Sequence, residues 1–226
     1  MDWTVLSGNI QGMKILDGWR YVSVYKDELL ATLANVPPRV NLPIPHFPQI
    51  EKDWRESGAL SQEEYELWKW NVCGMTCLKM ILKYWTGLEH KTVELAKKCS
   101  QYGGYLPEQV KEINGKKIIP GLFYKNFAQF VEKEFGLIAL PTNKLSVRRM
   151  KYELSRGNIV MVSISSEAGE RHLVVVAGYD NDEKIITLND PAWEKGERKL
   201  VENEFKDAYN GRGYVFSAPS SKRNNR

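Results

Sequence analysis

The chain of 226 residues is 42% hydrophobic, 27% charged and 11% aromatic; this excludes a disordered or fibrous chain and is enough to bury a core without disulfides or a structural metal. Its net charge of +4, from 32 Lys and Arg against 28 Asp and Glu, resides mostly in Lys222, Arg223 and Arg226, so the body lacks the basic footprint that a nucleic-acid partner demands. No apolar run is long enough to span a membrane, and three cysteines make a poor disulfide framework, which points to reduced thiols and a cytoplasmic protein.

Residues 1–40 read as a strand-rich extension, with short β-prone pieces at Arg20–Tyr25 and Leu29–Leu33, and no basic leader with an apolar stretch opens it. Pro37, Pro38, Pro43, Pro45 and Pro48 then remove backbone donors, so this stretch runs extended over a surface and marks a boundary near residue 41. Ser61-Gln62-Glu63-Glu64 is a capping box, and a short helix through Trp68 is expected behind it. After Asn71, a candidate N-cap, Cys73, Cys77, Met80, Ile81 and Tyr84 form one apolar stripe at helical spacing that stops at Gly87, predicting a buried central helix that begins at Cys73.

Further helices are predicted from Thr92 to about Ser100, from Leu122 to Phe135 with Phe123, Phe127, Phe130 and Val131 inward, and from Ser146 to Arg156. Strands follow at Ile159–Ile164, Leu173–Tyr179, Lys184–Asn189 and Tyr214–Ser217. Helices first and an antiparallel sheet second is an α+β order. The domain is expected to span 41–217, with 218–226 a disordered basic tail.

Among the three histidines, His172 opens a predicted strand whose hairpin partner ends at Asp190-Pro191. Closing the turn at Asp180–Glu183 sets Asp190 opposite His172 or within one residue, near enough for a carboxylate to hold one ring nitrogen and leave the other for proton transfer. His46 and His90 read as surface residues. Cys73 at a helix N-terminus is the natural nucleophile, but the helix dipole contributes only about 0.3–1 kcal/mol, under one pKa unit, so an imidazolium must supply most of any thiolate stabilisation.

Gly74, without a side chain, would let a substrate carbonyl approach the free amides at the helix start, and Gln49 in the proline-rich stretch offers a second oxyanion donor. Cys73 and Cys77 share a helix face and with a His could form part of a zinc site, yet no four-ligand spacing appears. Trp70 and Trp193 lie beside the motif segments and are candidates to line a substrate groove.

Pro45 to Gln49, Cys73-Gly74 opening an apolar helix, His172 to Tyr179 and Asn189-Asp190-Pro191, in that order, resemble the bacteriocin-processing-like (double-glycine leader) family of papain-fold cysteine peptidases. The likeness runs over about residues 43–217. It implies acyl transfer to a thiolate: Cys73 as nucleophile, His172 as base then acid, Asp190 orienting His172, and Gln49 completing the oxyanion hole, with no metal or organic cofactor and a peptide or protein as substrate. This chain departs from the family in reading Met75 where Pro often follows Cys-Gly, and in a long spacer, Ile50 to Val72, which leaves Asn71 as an alternative donor. The same residue types would also serve a transglutaminase-like acyl transferase, and the fold alone could serve a peptide-binding module.

Overall fold

The computed structural model describes residues 26–165 and 171–218; Arg20–Tyr25 and the tail beyond 218 lie outside them. Residues 26–33 form a helix, α1, where a strand was expected at Leu29–Leu33. The run Lys26-Asp27-Glu28-Leu29-Leu30-Ala31 is built mostly of strong helix formers, and three contiguous apolar residues do not by themselves distinguish the two periods. Tertiary contacts decide it. Arg148 donates to the carbonyls of Ala31, Thr32 and Ala34 at the C-terminal end, while Asp27 pairs at 3.0 Å with the buried Arg149.

The proline-rich stretch holds one short strand, β1 (Arg39–Asn41). A 3-10 turn at Trp54–Ser57 and α2 (Gln62–Trp68) follow, α2 being capped as the sequence indicates, with the Ser61 hydroxyl accepting from the Glu64 amide. Then come α3 (Cys73–Thr86), α4 (Thr92–Gln101), a hairpin of β2 (Lys111–Ile113) and β3 (Lys116–Ile118), α5 (Tyr124–Phe135), β4 (Ile138–Thr142) and α6 (Val147–Ser155). The chain ends in β5 (Ile159–Ser165), β6 (Arg171–Asp180), β7 (Ile185–Asn189), β8 (Glu197–Val201), α7 (Glu202–Ala208) and β9 (Tyr209–Ser217). α5 starts after Phe123, which is not inward but 42% exposed.

The main sheet is antiparallel in the order β4-β9-β5-β6-β7-β8, with β1 added to β6. Alternation with period two sends Met161, Val175, Tyr214 and Phe216 to the face covered by α2 to α5 and Val160, Val162, Val174 and Val176 to the face covered by α6 and α7, an α+β architecture of helices on an antiparallel sheet. α3 is the centre of the first layer: residues from Gly74 to Leu82 are buried on every side, and each large apolar side chain contributes about 1.5–3 kcal/mol by leaving water. That burial fixes where the start of α3 sits against β6. β1 can approach β6 because Gly178 has no Cβ; one there would lie 2.4 Å from the Val40 carbonyl oxygen.

Candidate active site

Cys73 is the first residue of α3, and its N-cap, Val72, offers no side-chain acceptor, so the leading amides of the helix are left for other partners. Cys73 is half-buried, and its thiol lies close enough to the His172 ring, across the gap between helix and sheet, for the two to couple by hydrogen bonding and charge. Burial pushes the thiol pKa up, but His172, by hydrogen bond and charge, and the amides of Leu173 and Gly74 more than offset it, holding Cys73 below the ordinary thiol range. The same contact seen from the ring works against burial: with Asp190 and Cys73 as partners, His172 is raised to about 10. Each partner therefore favours the charged form of the other, the thiolate of Cys73 and the imidazolium of His172.

On its other side His172 Nε2 donates to Asp190 Oδ1 at 2.6 Å, since a carboxylate can only accept. Ladder geometry explains the meeting, with a correction to the register. The hairpin turn closes one residue later than expected, over 181–184, and the pairing Asp180↔Ile185 would continue to set Asp190 level with Val175, on the face opposite His172. A β-bulge between Val176 and Gly178 shifts the register, so Asn189 pairs with Val175 and Asp190 falls level with Val174. His172 is then the diagonal neighbour on the same face, within reach of a carboxylate, rather than the residue directly opposite.

Asp190 is 2% exposed and held rigidly. Pro191 turns the chain, the Trp193 amide donates to the Asp190 carbonyl at 3.0 Å, and the Ala192 amide donates to Oδ1 at 2.9 Å, an Asx turn that sets the side-chain rotamer. Arg198 Nη1 donates to Oδ2 at 3.1 Å and its guanidinium lies 5.4 Å from the Trp193 ring centre. Burial raises the Asp190 pKa, but His172, the Ala192 amide and Arg198 outweigh it and keep the carboxylate ionised.

Sequence reasoning missed Arg198, because β8 alternates exposed and half-buried residues and carries no apolar signal. It also misjudged His46, which is half-buried and donates through Nε2 to the Asp190 carbonyl at 2.9 Å. His90 is half-buried too, 5.4 Å from the Phe135 ring.

Gln49 is buried; its backbone amide donates to the Pro191 carbonyl at 2.8 Å and its Nε2 to the Lys69 carbonyl at 2.7 Å. This second bond also accounts for the long spacer: the excursion through the 3-10 turn and α2 leaves from Gln49 and returns to it at Lys69. Asn71 is not the N-cap. Its Nδ2 donates to the carbonyls of Leu67 and Lys117, and its Oδ1 accepts from the Ile119 amide, so both amide hydrogens are taken and the residue ties the spacer to the β2–β3 hairpin.

A groove of about 810 Å³ runs past Cys73, walled by Trp70, Tyr105, Ile118, Leu122, Phe123 and Leu173 on its apolar side and by Ser163, Arg171 and Arg212 on its polar side. Trp193 is not among its walls. The space over Gly74 is not empty as expected: a Cβ there would come within 2.9 Å of Leu122 and 3.0 Å of Leu173, so the glycine admits these two side chains, which narrow the groove beside the sulfur. Cys77 is buried one turn below Cys73, its thiol donating to the Leu173 carbonyl at 3.2 Å, and burial raises both Cys77, well above the thiol range, and Cys99, to about 12. Among the described residues no group of three or more His, Cys, Asp or Glu is placed to hold a metal ion, and no helix is long and apolar enough to cross a membrane.

A model of the Peptidase_C39 like family matches residues 42–217. The chain belongs to that family. Among solved structures, a protein from Bacillus anthracis described as a C39-like peptidase superposes with a TM-score of 0.54 at 16% identity, over 80% of this chain and 98% of that one. A double-glycine motif protease from an AMS/PCAT transporter, solved in complex with its leader peptide, gives 0.49 at 19% identity over 80% of this chain and 95% of that one. The peptidase domain of Streptococcus ComA, a bi-functional ABC transporter of a quorum-sensing pathway, gives 0.49 at 13% identity over 78% of this chain and 99% of that one. No protein of curated function matches the chain in sequence. The first of these likenesses carries the fold, and the fold of this C39-like protein is the papain-like one that its motif order implied.

Proposed function

We propose that this C39-like protein is a cysteine peptidase that cleaves peptide bonds through a thioester at Cys73. The observation that carries the reading is the chain of contacts from the Cys73 thiol through the His172 ring to the Asp190 carboxylate, the last at 2.6 Å, beside a groove large enough for an extended peptide. In this reading the Cys73 thiolate attacks the scissile carbonyl carbon, and the displaced electron pair gathers on the carbonyl oxygen. The uncapped amides at the start of α3 stabilise it, with the remaining Nε2 hydrogen of Gln49 as second donor. His172, already protonated and steered by Asp190, passes its proton to the leaving amine as the tetrahedral species collapses to the thioester. The ring then takes a proton from water, which attacks the thioester and returns the sulfur as thiolate.

The groove residues Leu122 and Leu173 favour small side chains next to the cleaved bond, since they fill the space over Gly74. A cytoplasmic setting fits a nucleophile that must stay reduced, and Cys73, Cys77 and Cys99 are all free. The test is product analysis by mass spectrometry of peptides with small residues before the cut, quenched in acid to trap the acyl-enzyme and repeated with a primary amine added. The reading expects a mass adduct on Cys73, equal to the N-terminal fragment, and free carboxylic acid as product. A dominant amide product would make the protein a transferase, and neither adduct nor cleavage would leave only binding.

A further inference from the structure

The groove is charged on one wall only. Arg171, the residue before His172 on β6, and Arg212, in the irregular stretch of β9 between the Tyr209 and Gly213 pairs with β5, both line it and both are exposed. Among the described residues no carboxylate lines the groove, and the ion pairs of the other arginines go to Arg39, Arg55, Arg149 and Arg198, none to Arg171 or Arg212. Between these two lies Ser163 on β5, the strand shared by β6 and β9, with its buried hydroxyl accepting from Asn210 at 2.9 Å and paired with the Tyr124 phenol. That phenol lines the same groove as Arg171, Arg212 and Cys73 and lies within electrostatic range of all three. Tyr124 is fixed in turn by its edge contact with Tyr214, ring centres 4.7 Å apart.

Two exposed guanidinium groups that line one wall of a groove and have no acidic partner among the described residues gain from an anion placed between them. We propose that Arg171 and Arg212 form a carboxylate subsite of the substrate groove, which selects peptides carrying an anionic group at one fixed position relative to the bond held at Cys73. The carboxylate comes from a Glu or Asp side chain or from the peptide's own C-terminus, and Tyr124 and Ser163 supply neutral hydrogen-bonding partners between the two forks. The assignment rests on reading the groove as the peptide site.

Binding is measured by fluorescence anisotropy on the full chain carrying Cys73→Ser, which separates recognition from turnover. The probes are fluorescein-labelled peptides in which one Glu, or its neutral isostere Gln, is walked along an otherwise uncharged sequence, each made with a free and an amidated C-terminus. One position is expected to favour Glu over Gln by about tenfold at low salt, as two partly exposed ion pairs provide. The advantage falls to less than threefold at 0.5 M NaCl, where charges are screened within a few ångströms. Adding Arg171→Gln and Arg212→Gln removes the preference without weakening the Gln peptides. A preference that follows the free C-terminus instead identifies that group as the anion. Equal binding of Glu and Gln peptides and of free and amidated ones, no binding by any peptide, or a preference that survives the double substitution overturns the subsite. Hydrolysis by the unsubstituted protein is scored separately, so that selective binding without cleavage would sink the peptidase reading and leave the subsite standing.

Discussion

Replacing Asp190 with Asn changes one oxygen to an NH2 group and removes one buried charge. The consequence follows from the donors around it. Oδ1 receives His172 Nε2 at 2.6 Å and the Ala192 amide at 2.9 Å, and Oδ2 receives Arg198 Nη1 at 3.1 Å. Both oxygens accept, so either orientation of an amide sets its NH2 against a donor: against the ring and the Ala192 amide, or against the guanidinium. One hydrogen bond to a charged group is lost, worth about 1.5–3 kcal/mol, and the buried donor left behind gains no water. Taking about 2–3 kcal/mol against the imidazolium-bearing transition state, kcat/KM falls about 30- to 150-fold.

The Asp190→Asn/Arg198→Met pair is the sharper test, because removing the guanidinium lets the NH2 turn toward its side and the oxygen face His172. The double variant is expected to recover at least fivefold over Asp190→Asn alone. The assay is peptide hydrolysis at fixed low substrate across pH, with circular dichroism to show that each variant is folded. A single variant within threefold of the parent, or a double variant no better than the single, would refute the account of how Asp190 is shared.

The pH profile of kcat/KM is expected to rise as the thiolate forms below the ordinary thiol range and to fall as His172, raised to about 10, loses its proton; a falling limb near 7 would contradict the ion pair. In stability terms the sign is fixed by the same shift: the contribution of His172 is fully present below its ordinary 6.5 and is lost as pH rises through about 10, which urea unfolding across that window reads out. Lys79 is 5% exposed, 3.3 Å from Glu51, 3.5 Å from the exposed Glu89 and 4.4 Å from the Phe47 ring centre, so Lys79→Ala leaves the Glu51 side chain, 9% exposed, without a cation and costs about 3 kcal/mol in urea unfolding. Lys79→Met with Glu51→Gln costs much less, and equal losses would show that packing, not charge, is at stake. Gly178→Ala forces β1 off β6, destabilising the fold by about 1–3 kcal/mol while leaving Cys73 alkylation unchanged; a change under 0.3 kcal/mol would mean that β1 yields freely.

Elements with their own local signal were legible in the sequence. Ser61 caps α2, Gly87 ends α3 with a positive φ of 72°, and the apolar stripe from Cys73 marks a helix that is buried all round from Gly74 to Leu82. Elements defined only by their partners were not. β8 has alternating exposure and no apolar run, the β2–β3 hairpin is almost wholly polar, and α1 is decided by Arg148 and Arg149, more than a hundred residues away. Cys73, His172 and Asp190 stood out because each carries a chemical type at a motif position. Arg198 and His46 act on Asp190 through contacts that only the folded chain creates, and the bulge that aligns Asp190 with His172 leaves no mark in a count of residues between them.

The central claim is that the Cys73 sulfur is held as an anion by the His172 ring, and the rate of iodoacetamide labelling of each thiol between about pH 5 and 8, located by mass spectrometry, tests it most directly. Only a depressed pKa keeps a thiol fast at the acid end. The account predicts that Cys73 is labelled at pH 5 far ahead of Cys77 and Cys99, whose pKa values are raised, and that His172→Ala abolishes that lead. Three equally slow thiols in the folded protein, or a lead that survives the loss of the ring, would contradict it.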